Sequence, residues 1–564
     1  MSTDPLQKYR NAAVKFVKEA SLKEFGLMLE LEPEVASELA DFAFPCFVPA
    51  RRVGVKPAEL AERLSLVPAD STIHVSSSSG YLNVNADAAS LASDTVQLIE
   101  KLGEEYGVTE PTGLRILVEH TSVNPNGPIH IGRARNAMIG DTIVRCLKKS
   151  GEHVSSEYYV NDLGRQVITL LWGMKHLQCA NGEERRADYA LLPCYIQASE
   201  MMEKDSKCAS EIAEMQRSIE GGKTALIHEV REMAGKVLSG IRESLSAVGV
   251  SHDSYFFESR LLESGAVTAV VEGMRSLPEA RQEEGAWYIP VKAGGAEEKF
   301  YFTRSDGTTL YTTRDIAYHL DKLSRGERMI DVLGEDQRLG ATFLLSSLRK
   351  LRGDPQIDFV FHSYVVLEEG KMATRKGNVV LLDDVVKEAI SRAGEEVRKR
   401  REGISAAEVD RIAGIVGPGA VRFNVVRLQP EKKIIFRWQD ALNFEGSSAP
   451  FIQYAHARAC SILNKAEGWK RQSGPYTEHE ELLLAKRLAY LPSLLRVIRR
   501  TLAVHSLAQY ALHLASDFNQ FYRVVPVLRA PEELRDARLT LVDASRIVMK
   551  NTLWCLGIEA PENM

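Results

Sequence analysis

The stretch "GLRILVEHTSVNPNGPIHIGRARNAMIGDTIVRCLKKSG", residues 113–151, decides the fold. Its first ten residues read as an apolar strand. A turn carrying Gly127, Pro128 and Gly132 follows. Ile139, Ile143, Cys146 and Leu147 then recur at helical spacing, and Gly151 is a good stop beyond the helix end. "HVSSEYYV" (153–160) is a further strand and runs into "NDLGRQ" (161–166). Strand, glycine turn, helix and strand make a βαβ unit, which implies a parallel sheet with helices on its faces. Ligands of such sheets bind outside the C-terminal ends of the strands, and the turn around His130 lies at such an end.

Outward from this unit the sheet pattern returns late. "MIDVLGEDQ" (329–337) is a strand entering a polar turn, and "DFVFHSYVVLEEGKMATRKGN" (358–378) is strand pattern followed by a basic, glycine-containing loop. Residues of about 170 to 300 read as mainly helical, a long insertion between the two halves of a nucleotide-binding sheet. Before the sheet, "LEPEVASELADFAF" (31–44) reads as an amphipathic helix and "STIHVSSSSGYLNVNAD" (71–87) as two short strands around a glycine turn. Residues 87–107 read as a helix ending at Gly107. Beyond about 405 apolar positions recur every three or four residues, as in "ELLLAKRLAYLPSLLRVIRRTLA" (481–503). The expected architecture is a multidomain α/β protein. It has an N-terminal α+β domain (1–110), a parallel-sheet catalytic domain (111–404) with its insertion, and a C-terminal all-α bundle (405–564).

Composition bounds the class. Apolar residues make up 45% and charged residues 26% of 564, as in ordinary globular proteins. No apolar run approaches the ~20 residues of a membrane helix, and "MSTDPLQKYR" has no signal-peptide pattern. A cytoplasmic protein is expected. The seven cysteines are scattered and form no C-x-x-C pair, which argues against a disulfide framework or a structural zinc site. From Ser405 onward 21 Lys/Arg face 16 Asp/Glu, whereas the whole chain carries 71 against 76. A basic C-terminal third on an acidic protein hints at a polyanionic partner.

Three stretches carry chemistry. In "GPIHIG" (127–132) Gly132 permits close backbone approach to a ligand, and the helix that follows offers free N–H groups to a phosphate. His130 beside it can donate to phosphate oxygens as charge shifts; the alternative is an incidental histidine on a strand-to-helix turn. "GKMATRKGN" (370–378) packs Lys371, Arg375 and Lys376 among small residues. Three cations there can clamp a triphosphate, or can be an ordinary solvated loop. Glu119 ends an apolar strand, where a carboxylate is costly unless paired. Asp315 lies one helical turn after Tyr311 in "YTTRDIAYHL" (311–320). Two carboxylates and a phenol converging on a pocket would select a planar cation such as guanidinium; pairing of Asp315 with Arg314 is the alternative.

At these residues the chain resembles class I aminoacyl-tRNA synthetases, the arginyl enzymes in particular. "PIHIGRARN" (128–136) resembles the first class signature, HIGH, and "KMATR" (371–375) the second, KMSKS. The longer stretches "VEHTSVNPNGPIHIG", "RSDGTTLYTTRDIAYHL", "VGPGAVRFNVV" and "WQDALNFEGSSAPFIQYAHAR" resemble the arginyl family in order, over residues of about 80 to 564, as does the final Met. The resemblance implies ATP-dependent formation of arginyl-adenylate and transfer to the terminal adenosine of tRNA(Arg). It implies ATP with Mg²⁺ as substrate, no tightly bound cofactor, no zinc or other protein-held metal, and a monomer.

The resemblance also implies residue roles. Glu119 and Asp315 would bind the substrate guanidinium with Tyr311, while Asn124 and Gln337 would hold its α-amino group. His130, Gly132, Arg133, Lys371 and Met372 would bind ATP, with His130, Lys371, Arg375 and Lys376 acting in catalysis. Asn161, Asp162 and Gln166 match a stretch that lines the pocket. Tyr454, Tyr522 and Met564 would meet the anticodon loop, and Tyr81 and Asn83 the tRNA elbow, since exposed aromatics stack on splayed bases. Helix core is the alternative for Tyr454 and Tyr522. Two departures stand out: Arg133 replaces the usual second histidine of the first signature, and the second signature lacks its second lysine. Rival readings are a class I enzyme for another amino acid and a tRNA-binding paralogue without activity. Glu119, Tyr311 and Asp315 oppose the first, because an apolar substrate would leave both acids unpaired. His130 and Lys371 oppose the second.

Overall fold

A computed structural model describes residues 3–34, 40–178, 186–293, 295–363, 365–367 and 380–564. Its centre is a five-stranded, fully parallel sheet made of β1 (Arg115–Glu119), β2 (His153–Val160), β3 (Ser254–Phe257), β4 (Arg328–Gly334) and β5 (Ile357–His362). The spatial order is β5-β4-β1-β2-β3. The chain first builds outward in one direction from β1, then returns to build in the other, so the order reverses between β1 and β4. Doubly wound sheets bind ligands outside the strand ends at such a reversal. Register places Asp331 of β4 opposite Glu119 of β1, two acids side by side in a buried sheet.

Helix α1 (Ile131–Lys149) fills the β1–β2 crossover and buries Ile139, Ile143, Cys146 and Leu147, with Gly151 in left-handed backbone (φ 93°) just past its end. Helix α2 (Tyr311–Arg325) precedes β4 and runs antiparallel to it, so its N-terminus lies at the ligand-binding edge of the sheet. The glycine turn of 71–87 is a hairpin, Ile73–Ser78 against Tyr81–Ala86, with Ser79 and Gly80 both at positive φ as a two-residue hairpin turn demands. Phe42–Pro45 joins that hairpin as a third strand. The end of the helix expected over 31–44 is therefore strand, and residues 35–39 of it lie outside the described residues.

The insertion is less helical than its pattern suggests. Helices span Ala187–Lys204, Ser206–Glu220 and Thr224–Ser246. The chain then contributes β3 to the central sheet and builds an antiparallel sheet from Arg281–Glu283, Ala286–Ala293 and Ala296–Tyr301. Four residues, "SYFF", are too short for periodicity to separate strand from helix.

After 405 the described chain is helical apart from Ile434–Phe436, which pairs in parallel with Val365–Leu367. One apolar core runs without a break from Val118 and Ile143 in the sheet layer to Leu514, Leu541 and Leu553 in the C-terminal helices. The N-terminal unit has its own core around Tyr9, Phe44, Leu60 and Val84, touched from elsewhere by Ala489 and Tyr490. Five cysteines are buried and free; Cys194, against expectation, is disulfide-bonded. No helix among the described residues is long and apolar enough to cross a membrane.

Candidate functional site

Glu119 is the last residue of β1 and is buried. A carboxylate there needs a cation, and the cation is Lys322, three turns along α2 from Tyr311. Its fully buried Nζ donates to Glu119 Oε2 and to Asp331 Oδ1, each at 2.6 Å. The second oxygen of Asp331 meets His319 Nε2 at 2.7 Å. The other ring nitrogen of His319 lies 2.8 Å from the Asp315 carbonyl and 3.1 Å from its carboxylate. The two acids expected to share a guanidinium are thus joined through Lys322, Asp331 and His319. Arg314 turns away and pairs with Glu258 at 2.5 Å, so the alternative Asp315–Arg314 pair does not form.

Electrostatics follow from this geometry. Burial and the neighbouring Lys322 both oppose a proton on His319, yet Asp315 and Asp331 outweigh them and lift it to about 10. Burial also opposes charge on Lys322, but its two carboxylate partners hold it above the ordinary lysine value. Burial would raise Asp331 as well; Lys322 and His319 hold it well below the usual carboxylate range. Burial raises Glu119 against the pull of Lys322. With three carboxylates, one ammonium and one imidazolium the group carries one uncompensated negative charge. Asp315, half-exposed at the mouth, is where a ligand can reach it. Glu119, His319 and Asp331 lie close enough to hold a metal ion, but the Lys322 ammonium already bonds both carboxylates and does the neutralising.

Around this network stand the other expected site residues. Tyr311 opens α2 with its side chain 70% exposed. Asn124 donates to Gln166 Oε1 at 2.9 Å, which ties the turn after β1 to the segment after β2. Asp162, raised to about 6 by burial, accepts from the amide and hydroxyl of Ser259 and so braces that segment instead of facing a ligand. Gln337 is exposed in a short turn at the C-terminal end of β4.

His130 is the N-cap residue of α1 but its side chain makes no capping bond. The imidazole folds over Gly132, where a Cβ would come within 3.2 Å of Nδ1, a tight contact that glycine avoids. Burial, then the charge of Arg133, lowers its proton affinity. Arg133 itself is exposed on the first turn of α1. Lys371, Met372, Arg375 and Lys376 lie outside the described residues.

Sequence reasoning missed Lys322, His319 and Asp331. The signal was present: Asp315, His319 and Lys322 fall at i, i+4 and i+7, one face of a helix. Asp331 interrupts an apolar strand as Glu119 does.

Comparisons with known proteins cover nearly the whole chain. Residues 95–438 match the family described as tRNA synthetases class I (R), catalytic domain, and residues 452–564 match the DALR anticodon binding domain. The chain is 38% identical over 558 residues to an arginine–tRNA ligase of Methanocella arvoryzae, covering 98% of this chain and 99% of that one. The chain belongs to the arginine–tRNA ligase family. Another member of that family, from Methanocaldococcus jannaschii, is 36% identical and spans 98% of this chain and 99% of its own. The arginyl-tRNA synthetase structure of Thermus thermophilus superposes with a TM-score of 0.83 at 27% identity, covering 98% of this chain and all of that one. The Plasmodium falciparum enzyme shares the fold, with a TM-score of 0.81 at 16% identity over 99% of each chain.

In this arginine–tRNA ligase family member the residues expected to meet tRNA fall into three settings. Tyr454 is 41% exposed on helix Ala449–Lys465, with the Arg458 guanidinium 4.7 Å over its ring. The same helix holds the tail through Gln453 to the Glu559 carbonyl and His456 to the Pro561 carbonyl, both at 2.9 Å. Tyr522 and Met564 are half-buried against the core. Tyr81 is half-buried beneath exposed Phe47, ring centroids 5.2 Å apart. Asn83, expected to be presented beside it, is buried in the middle of its sheet, paired on both sides by Ala43 and Ser76, and offers no side chain to solvent.

Proposed function

We propose that the chain is an arginine–tRNA ligase that condenses L-arginine with ATP to arginyl-adenylate and pyrophosphate, then transfers the arginyl group to the 3′-terminal adenosine of tRNA(Arg). The observation that carries the substrate assignment is the single unbalanced negative charge at Asp315, backed by buried Glu119, at the C-terminal edge of the sheet. A monocationic guanidinium completes that charge count, while a neutral side chain leaves it open. Glu119, Asp315 and Tyr311 take the guanidinium in this reading. Asn124 and Gln337 take the α-amino group, and His130, Gly132 and Arg133 face ATP bound as its magnesium salt.

His130 is neutral at physiological pH, since burial and Arg133 both disfavour its proton. It can therefore donate one hydrogen bond to a phosphate oxygen without adding a charge. Lys371, with Met372, Arg375 and Lys376, would stabilise the departing pyrophosphate. Residues 1–110 would hold the tRNA elbow through Tyr81, with Phe47 as its stacking neighbour. Residues 405–564 would read the anticodon loop through Tyr454, Tyr522 and Met564. We place the enzyme in the cytoplasm as a monomer. The test is aminoacylation of tRNA with each of the twenty amino acids. Charging with arginine alone is expected; charging with lysine at a comparable kcat/KM would overturn the assignment.

A further inference from the structure

The chain of contacts from Glu119 to Asp315 does more than neutralise buried acids. Four observations define it. Lys322 Nζ sits at equal distance, 2.6 Å, from carboxylates on two adjacent strands. Asp331 uses both oxygens, one on Lys322 and one on His319. His319 uses both nitrogens, one on Asp331 and one toward Asp315. All but Asp315 are buried, so water cannot substitute for any partner.

Such a chain ties Lys322, Asp331 and His319 to two partners each. Through it, the position of the Asp315 carboxylate on a helix is fixed relative to Glu119 on a strand. A planar guanidinium that bonds two carboxylates at once is sensitive to their separation. We propose that Lys322, Asp331 and His319 are positioning residues for arginine selection: they touch no substrate, but set the spacing and the net charge of the acids that do. This rests on the assignment of Glu119 and Asp315 to the guanidinium.

Two features separate the idea from simple core stability. A strut needed only for folding lowers the amount of active enzyme, and so lowers kcat with the KM for arginine unchanged. A positioning strut changes the KM for arginine and leaves that for ATP alone, because His130 and Gly132 belong to a different element. The charge count also predicts rescue. Removing Lys322 alone leaves two buried carboxylates without their cation, whereas removing Lys322 and the Asp331 charge together returns the site to one net negative charge.

The experiment measures tRNA(Arg) charging by the full-length enzyme, varying arginine at saturating ATP and ATP at saturating arginine. The variants are His319→Gln, Lys322→Met, Lys322→Met with Asp331→Asn, and Asp315→Asn as reference. We expect the arginine KM to rise more than tenfold in His319→Gln and Lys322→Met, with the ATP KM within twofold. The paired variant should recover at least a third of the arginine affinity that Lys322→Met loses. If Asp315→Asn raises the arginine KM while His319→Gln leaves it at the native value, the positioning role is overturned and the clamp stands. If Asp315→Asn also leaves it unchanged, the clamp assignment has failed and the inference falls with it.

Discussion

The backbone amide of Ile131 donates to the carbonyl of Val380 at 3.0 Å, and the amide of Leu382 returns a bond to Ile129 at 2.9 Å. His130 stands between these two bonds, opposite Leu381 in a short antiparallel bridge. The His130 turn is therefore stitched to the chain just beyond the basic stretch 370–378.

Lys371 heads that loop. Lys371→Ala should slow adenylate formation on the order of a hundredfold, the usual cost of losing a charge that stabilises a departing phosphate, while tRNA affinity stays native. Pyrophosphate exchange with tRNA present, beside a filter-binding titration of tRNA(Arg), separates the two. Intact chemistry with collapsed tRNA binding would reverse the assignment.

Asp315→Asn removes one charged partner of the guanidinium without altering volume. A hydrogen bond to a charged group contributes roughly 1.5–3 kcal/mol, so the arginine KM should rise about ten- to a hundredfold with the ATP KM unaffected. An unchanged arginine KM in steady-state charging would sink the clamp.

Arg133 is exposed, and its charge acts on His130 and His362 across the first turn of α1. Arg133→His restores the commoner signature and should keep kcat/KM for ATP within about tenfold, since an exposed substitution on a helix leaves packing alone. Burial chiefly holds His130 down, and Arg133→Gln removes the charge that adds to it. The acid limb of kcat/KM for ATP should then move to higher pH than in the native enzyme; a limb that stays in place detaches His130 from the profile.

Buried His120 and half-buried His252 form a pair, rings 4.2 Å apart, sharing the Thr121 hydroxyl. Burial, reinforced by Arg422, pushes His120 down to about 3; burial and His120 push His252 well below its usual value. Folded protein therefore binds fewer protons than unfolded chain once the pH drops below about 6.5, the ordinary histidine value. The stability these neutral rings contribute is complete above that pH and is lost as pH falls, by about 1.4 kcal/mol per unit for each ring. Melting temperatures at pH 7.5 and 5.5 should show a marked acid loss, with a shallower slope in His252→Phe. Equal slopes in both proteins would exclude the pair as the cause.

Much of this was legible in the sequence because it is local. The β1–α1–β2 unit follows from apolar periodicity and its glycines, and Glu119 announced a missing partner simply by being an acid in an apolar strand. What was not legible is what depends on distance along the chain. Lys322 lies 203 residues from Glu119, and no local pattern says that a lysine on a polar-looking helix face will be the least exposed residue of the site. The antiparallel sheet over 281–301 was hidden for another reason. Pro290 interrupts its central strand and Gly285 turns the hairpin with φ 86°, so its alternation is broken where a reader would look for it. Asn83 shows the limit in the opposite direction: the resemblance implied a residue presented beside Tyr81, but its burial is set by the folded chain and not by the local sequence.

The unbroken core between the sheet layer and the C-terminal helices has a calorimetric consequence. Arg422, fully buried, ties the two together by bonding Asp141 and Thr142 of α1, the Val248 carbonyl and the Leu556 carbonyl at once. Parts that share one interior cannot melt in sequence. A heating scan of the full chain should show catalytic sheet and C-terminal helices giving way together in one heat-absorption peak. Severing the chain near residue 405 would yield two fragments with bare apolar faces in place of two working modules.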